Sequence, residues 1–189
     1  MKNRFQYNKA QPLAGWGYRF DSMTEVKFAI SVMEEFAFIR SPVSMYFHPG
    51  SFQLTAHPRL FHRRYTPDFL IRHLRTKMAF LVEIKPRAFE RNTELDQHRQ
   101  VATNYIRALK FDWIYKVVYD DEIILNEQQL HDFEECLSLK PEFRYAWFDK
   151  YLKRMSSLPP RLMDRSNAHI DFIMRGWESA APNLFTPIK

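Results

Sequence analysis

Asp68, Glu83 and Lys85 have the residue types and the spacing that metal-assisted hydrolysis requires. In the run Phe80–Lys85, strand alternation places Glu83 and Lys85 on one face. Fourteen residues separate Asp68 from Glu83, so the preceding strand of a hairpin can bring the two carboxylates together. Carboxylates offer the hard oxygen ligands that Mg²⁺ or Mn²⁺ takes, and a nearby lysine can orient or deprotonate a water or stabilise developing charge.

A simpler interpretation exists for the same residues. Pro67-Asp68 could form a turn, and Glu83 and Lys85 could form an exposed pair on an amphipathic strand. An acid-x-lysine pattern alone does not separate the two interpretations. The run Asp-Phe-Leu-Ile before an apolar Glu-Ile-Lys strand, with a helix after it, favours the catalytic one.

Several predicted elements must position these residues. The two runs that carry them, Arg63–His73 and Lys77–Lys85, are rich in strand-forming residues and predict a hairpin. The other predicted elements are a helix from Asp21 or Ser22, strands at Ser44–Phe47 and Phe52–Thr55, a helix over 90–110, a strand at Trp113–Tyr119, and helices at Gln128–Leu139, Phe143–Met155 and near His169–Trp177. This order predicts an α/β fold, a mixed sheet flanked by helices.

We expect three regions along the chain: an N-terminal arm over residues 1–20, a catalytic core over 21–125 and a small helical C-terminal extension over 126–189. The 189 residues, 46% of them hydrophobic, suffice for one ordinary domain. The sequence has no glycine-rich phosphate-binding loop and no nucleophile elbow. The histidines lack metal-site spacing, so we interpret them as surface or core polar residues.

The net charge and the cysteine content indicate which binding partners and which cellular compartment suit this chain. The net charge of +6 is compatible with a polyanion such as nucleic acid, and also with an ordinary basic surface. A single cysteine, Cys136, excludes an intramolecular disulfide and fits a reducing, cytoplasmic setting. We expect no membrane association, because the sequence has no apolar signal core and no run of about 20 apolar residues.

The motif pair resembles a known family. Tyr65-Thr66-Pro67-Asp68-Phe69 together with Leu81-Val82-Glu83-Ile84-Lys85-Pro86 is similar to the catalytic core of TnsA-like transposon endonucleases, which belong to the PD-(D/E)xK nuclease superfamily. The likeness spans roughly residues 20–125. It implies a restriction-endonuclease-like fold and Mg²⁺- or Mn²⁺-dependent cleavage of double-stranded DNA.

The resemblance also implies a third metal ligand on the first helix. Its counterpart by position is Glu25, which could instead be half of a capping box with Ser22. Glu34 and Glu35 are the alternatives if the helix register differs. The family often has Gln where Glu83 stands, and its separate C-terminal domain is longer than residues 126–189.

Head-completion nucleases of tailed phages share the same two signatures, so the resemblance leaves a transposase or a virion protein as possible partners. A second hypothesis from another class is a non-catalytic DNA-binding or assembly subunit with a nuclease fold.

Basic residues near the motifs predict a DNA-binding rim. Arg63 and Arg64 precede Asp68, Arg72 and Arg75 mark the hairpin tip, and Arg87 and Arg91 follow Lys85. Solvated strand ends would show the same pattern. Gln97 and Gln100 on the following helix could face the site or lie on an exposed helix face.

Overall fold

A computed structural model describes residues 13–15, 18–40 and 43–155. Most of the predicted arm and the helix predicted near His169–Trp177 lie outside the described residues. The helices and strands, in chain order, are β1 (Leu13–Gly15), β2 (Tyr18–Phe20), α1 (Met23–Val32), β3 (Phe36–Arg40), β4 (Met45–Phe47), β5 (Leu54–Thr55), β6 (Arg63–Tyr65), β7 (Phe69–His73), β8 (Ala79–Lys85), α2 (Thr93–Leu109), β9 (Trp113–Tyr119), α3 (Glu127–Ser138) and α4 (Pro141–Met155).

A four-stranded mixed sheet, in the order β3-β7-β8-β9, organises the described fold. β7 is antiparallel to both β3 and β8, whereas β9 is parallel to β8. Parallel neighbours need a crossover, which α2 supplies between β8 and β9. The chain is therefore a mixed α/β protein with a mixed sheet and flanking helices, as its sequence predicts.

The two faces of this sheet bury different hydrophobic clusters. One cluster joins α1 to Phe69, Val82 and Ile84, and the other joins α2 to Leu70 and Leu81. Strand alternation therefore turns Glu83 and Lys85, which share a face with Leu81, toward α2.

The strands predicted at Ser44–Phe47 and Phe52–Thr55 are present as β4 and β5 and pair with each other, but β6 joins them in a three-stranded sheet, in the order β5-β4-β6, that the sequence does not predict. The run Arg63–His73 is not one strand: β6 pairs with β4 in the small sheet, and only β7 pairs with β8. Pro67 lies between them, and proline lacks the amide hydrogen that a strand pairing uses. β3, which the sequence does not predict, follows α1 after a short turn.

The helices after residue 125 pack on the α1 face of the main sheet. Phe148 and Tyr151 of α4 belong to the same cluster as Phe69, and Phe20 of β2 does too. The boundaries proposed at residues 20 and 125 remain predictions. Among the described helices, none is both long enough and apolar enough to cross a membrane.

Candidate active site

The hairpin of β7 and β8 brings Asp68 beside Glu83. Phe69 pairs with Val82 in the antiparallel hairpin. Continuing this register by one residue places Asp68 opposite Glu83. Asp68 Oδ2 accepts a hydrogen bond of 2.7 Å from the amide of Ile84. The carboxylate is thus held against the end of β8, on the side of the sheet that α2 covers.

Glu83 is the most buried member of the group, with 2% of its surface exposed. Lys85 Nζ lies 2.7 Å from Glu83 Oε1, and the Tyr65 hydroxyl donates to Oε2 at 2.8 Å. The Tyr115 hydroxyl lies 3.2 Å from that of Tyr65. Tyr65 has a single proton, which faces Glu83, so Tyr115 supplies the proton of this second bond. Each Glu83 oxygen therefore has a fixed partner.

His98 of α2 also lies beside Tyr65 and Glu83. Its ring stacks on that of Tyr65 with a centroid distance of 4.1 Å. His98 Nδ1 lies 3.7 Å from Glu83 Oε1, too long for a hydrogen bond, and has no other hydrogen-bond partner among the described residues. The histidine thus packs Tyr65 in place and presents a polar atom to the carboxylate.

Burial and neighbouring charges shift the pKa values of Asp68 and Glu83 in opposite directions. Burial, followed by the charges of Glu83 and Glu25, raises the pKa of Asp68 well above its ordinary value. Burial also disfavours the charge of Glu83, but nearby His98, Lys85 and Tyr65 outweigh it and lower the pKa of Glu83. For Lys85, burial is outweighed by Glu83 and Asp68, so its pKa is raised and the ammonium stays charged.

The structure gives Glu25 the capping role, whereas its metal-binding role stays a prediction. The side chain of Ser22 accepts the Glu25 amide at 3.2 Å, and the Glu25 carboxylate accepts the Asp21 amide at 3.1 Å, so it takes part in capping α1. Its carboxylate also accepts Arg40 Nε at 2.9 Å, and its charge acts on Asp68. The alternatives Glu34 and Glu35 are exposed and follow the end of α1.

The charges of Glu83 and Glu25 both act on Asp68, and carboxylates that repel one another are chemically suited to a divalent cation, because their mutual repulsion becomes attraction to the ion. Within the described ranges, however, no three His, Cys, Asp or Glu side chains already surround a position that could hold a metal. Lys85 forms an ion pair with Glu83 Oε1, and Arg40 forms one with Glu25 Oε2. The donor set fits Mg²⁺ or Mn²⁺, and an ion would compete with Lys85 and Arg40 for it.

The basic residues predicted to form one rim fall into separate groups. Arg63 and Arg64 are exposed on β6, next to Tyr65. Arg72 and Arg75 lie at the far end of the hairpin from Asp68. Arg72 is four residues further along the chain than Asp68, which is roughly 13 Å in a strand.

The remaining two basic residues follow Lys85. Arg87 pairs with Asp121 at 3.0 Å and Glu122 at 2.7 Å and lies over the Tyr119 ring, so its charge is locally balanced. Arg91 is exposed.

His98 and Arg40 lie at the site although the sequence does not predict them there. His98 carried a usable signal, because it continues the buried stripe of α2 with Leu95 and Ala102 at spacings of three and four. Gln97 is only half-buried, and exposed Gln100 bonds to Asn104 instead of the site.

Comparisons with protein-family models, curated proteins and solved structures find no match to this chain.

Proposed function

We propose that this chain is a metal-dependent DNA endonuclease of the PD-(D/E)xK type. One observation carries the proposal: Asp68, the residue before β7, accepts a hydrogen bond from the Ile84 amide beside Glu83 of β8, and Lys85 lies on the face of Glu83 and 2.7 Å from it. Two acids and one lysine at a single strand end are the groups that phosphodiester hydrolysis needs.

The restriction-endonuclease-like core is part of the same proposal. Its support is the order of elements: a glutamate-bearing helix α1, the Asp68 strand, the Glu83-Lys85 strand, the long helix α2 and a closing parallel strand β9. This is the order that the resemblance to TnsA-like endonucleases implies.

Each polar residue of the site has a task in this reaction. Asp68 and Glu83, with Glu25, would hold the cation, which neutralises charge at the scissile phosphate when bound. Lys85, whose ammonium is charged, would orient the attacking water or stabilise the negative charge that develops on the phosphate. Tyr65 donates to Glu83 and so fixes the direction in which that carboxylate points.

Double-stranded DNA is the proposed substrate, supported by the net charge of +6 and by exposed Arg63 and Arg64 beside the site. In this proposal the protein acts in the cytoplasm, together with a transposase of a mobile element or a virion protein of a phage. Free, buried Cys136 is compatible with a reducing compartment.

Nicking of supercoiled plasmid in Mg²⁺ or Mn²⁺ tests the activity. Asp68→Asn keeps an oxygen for the Ile84 amide, so it should fold while losing nicking and calorimetric Mn²⁺ binding together. Lys85→Met should lose nicking but retain Mn²⁺ binding. Asp112→Asn and Lys116→Met are matched controls at exposed positions, and both should cleave as wild type does. Full cleavage by Asp68→Asn and Lys85→Met would refute the proposal.

A non-catalytic DNA-binding or assembly subunit is the second candidate. It is favoured by the pairing of Glu83 with Lys85 and of Glu25 with Arg40, since each acid is already partnered by a cation of the chain. This candidate predicts that folded wild type binds DNA or a partner protein without taking up Mn²⁺. Calorimetric Mn²⁺ binding that depends on Asp68 would exclude it.

A further inference from the structure

The segment over residues 41–67 contains no Asp and no Glu, but it contains three arginines and three histidines. It supplies the small sheet β5-β4-β6 and leads directly into Asp68. Among the described residues, Arg59, Arg63 and Arg64 take part in no ion pair, unlike Arg40, Arg87, Arg99 and Arg154. This part of the surface is therefore a basic patch with unneutralised arginines.

The loop between β5 and β6 carries two large apolar side chains at the tip of a turn. Leu60 is fully exposed and Phe61 is 55% exposed. The turn is fixed from both ends, because the His62 amide donates to the Arg59 carbonyl at 2.9 Å and the Arg59 amide donates to His62 Nδ1 at 2.8 Å. A turn whose backbone is already held presents Leu60 and Phe61 with less loss of backbone entropy on binding.

Single exposed apolar residues are common on protein surfaces and need no explanation. Leu60 and Phe61 differ in two respects from an isolated case such as Ile124. They are adjacent at a turn tip, where Gly, Pro, Asn and Asp usually stand. They also have unpaired Arg59 and Arg63 on either side, which favours a polyanion over an apolar protein groove as the partner.

We infer that the loop over residues 56–62 is a DNA wedge: Leu60 and Phe61 insert between base pairs while Arg59, Arg63 and Arg64 hold the flanking phosphates. Apolar side chains inserted at a base step unstack and kink the duplex. Phe61 lies seven residues before Asp68, at most about 25 Å along an extended chain, which corresponds to about seven base-pair steps. The kink thus falls within one helical turn of the cleaved phosphate. This inference rests on the proposed DNA endonuclease function for its choice of partner.

Short duplexes carrying 2-aminopurine report unstacking as a rise in fluorescence. The full chain with Asp68→Asn, without metal, should bind them and raise the fluorescence. Adding Leu60→Ser and Phe61→Ser should remove the rise and weaken binding about tenfold with an unchanged salt dependence, because apolar contacts release no counterions. Arg63→Gln with Arg64→Gln should instead lower the slope of log affinity against log salt by about two.

Ile124→Ser removes an apolar side chain that is 83% exposed outside the basic patch, so it is the matched control and should bind and unstack as the parent does. An undiminished fluorescence rise and affinity in the Leu60→Ser, Phe61→Ser variant would overturn the wedge, and would leave a protein-docking loop as the alternative. Plasmid nicking by the otherwise wild-type chain is scored separately. A fluorescence rise that depends on Leu60 and Phe61, without plasmid nicking, would support the wedge and refute the nuclease. Plasmid nicking without such a fluorescence rise would support the nuclease and refute the wedge.

Discussion

Asp68 is a residue whose charge opposes the stability of the fold that holds it. It is half-buried near Glu83 and Glu25, and only the Ile84 amide donates a hydrogen bond to it among the described residues. Asn in its place keeps the acceptor and removes the repulsion. Without metal at pH 8, we expect Asp68→Asn to raise Tm by roughly 2–4 °C, the effect of about 1 kcal/mol for a chain of this size. Differential scanning calorimetry measures this, and Asp112→Asn should leave Tm unchanged.

The pH dependence of that gain follows from the sign of the pKa change. An unfolded Asp ionises near its ordinary value of about 3.9, whereas burial and the neighbouring acids raise the pKa of Asp68 in the folded chain. Between the two values the folded chain holds the extra proton, so the free energy of unfolding falls as pH rises. Urea unfolding of wild type and Asp68→Asn should therefore differ little below about pH 4 and diverge above it. A gap that is constant with pH would contradict this origin.

In the proposed reaction, Tyr65 would act through Glu83, to which its hydroxyl donates. Burial, followed by the charge of Glu83, raises the pKa of Tyr65, which favours the protonated hydroxyl that donates to Glu83. Tyr65→Phe keeps the stacking on His98 and removes the hydroxyl that donates to Glu83 and contacts Tyr115. We expect kcat for nicking to fall about 10- to 100-fold and Mn²⁺ affinity to weaken, as for other residues that orient metal ligands. Tyr46→Phe on the neighbouring strand is the control, and an equal loss there would mean that the effect is not specific to Glu83.

At the scale of elements, α1 and β3 are joined by the Glu25–Arg40 pair, whose side chains are 8% and 11% exposed. Arg40→Met leaves the buried Glu25 carboxylate without its cation, and we expect a loss of about 3 kcal/mol in the free energy of unfolding. Combining it with Glu25→Gln should recover much of that loss. Denaturant unfolding of the double-mutant cycle measures the coupling. Additive losses would show that the pair does not hold these elements together.

The elements that the sequence predicts well are those with a strong local pattern. The Glu83-Lys85 strand, α2 and β9 each alternate or repeat clearly, and each forms within a few residues of the prediction. β3 lacks such a pattern, because Phe36 also fits the apolar spacing of α1 and hides the start of the strand. Local pattern also cannot show that β6 leaves the hairpin for another sheet.

The same limit applies to the site. Asp68, Glu83 and Lys85 could be identified because two adjacent strands carry them and strand geometry fixes their faces. The partners Arg40 and His98 come from elements distant in sequence, and only the packing of α1, β3 and α2 brings them in. The separation of Arg72 and Arg75 from the site likewise depends on the direction of the hairpin.

At the scale of the whole molecule, the described part of the C-terminal region belongs to the main hydrophobic core. Phe148 of α4 is fully buried and packs edge-on against Phe20 with a centroid distance of 5.1 Å. Both rings belong to the cluster that also contains Phe69, the residue after Asp68. The helix that ends the described chain therefore supports the strand that carries the proposed metal ligand.

This arrangement predicts that α4 cannot be removed without loss of the α/β fold around Asp68. Phe148→Ala should lower the free energy of unfolding by about 3–5 kcal/mol, since it removes a buried aromatic ring from a packed cluster. Phe143→Ala on the same helix is the matched control, because Phe143 is 58% exposed and its loss should cost less than about 0.5 kcal/mol. Urea unfolding monitored by far-ultraviolet circular dichroism compares the two. Equal, small losses would mean that α4 is an independent appendage, whereas the expected difference makes it part of the scaffold that aligns Asp68 with Glu83.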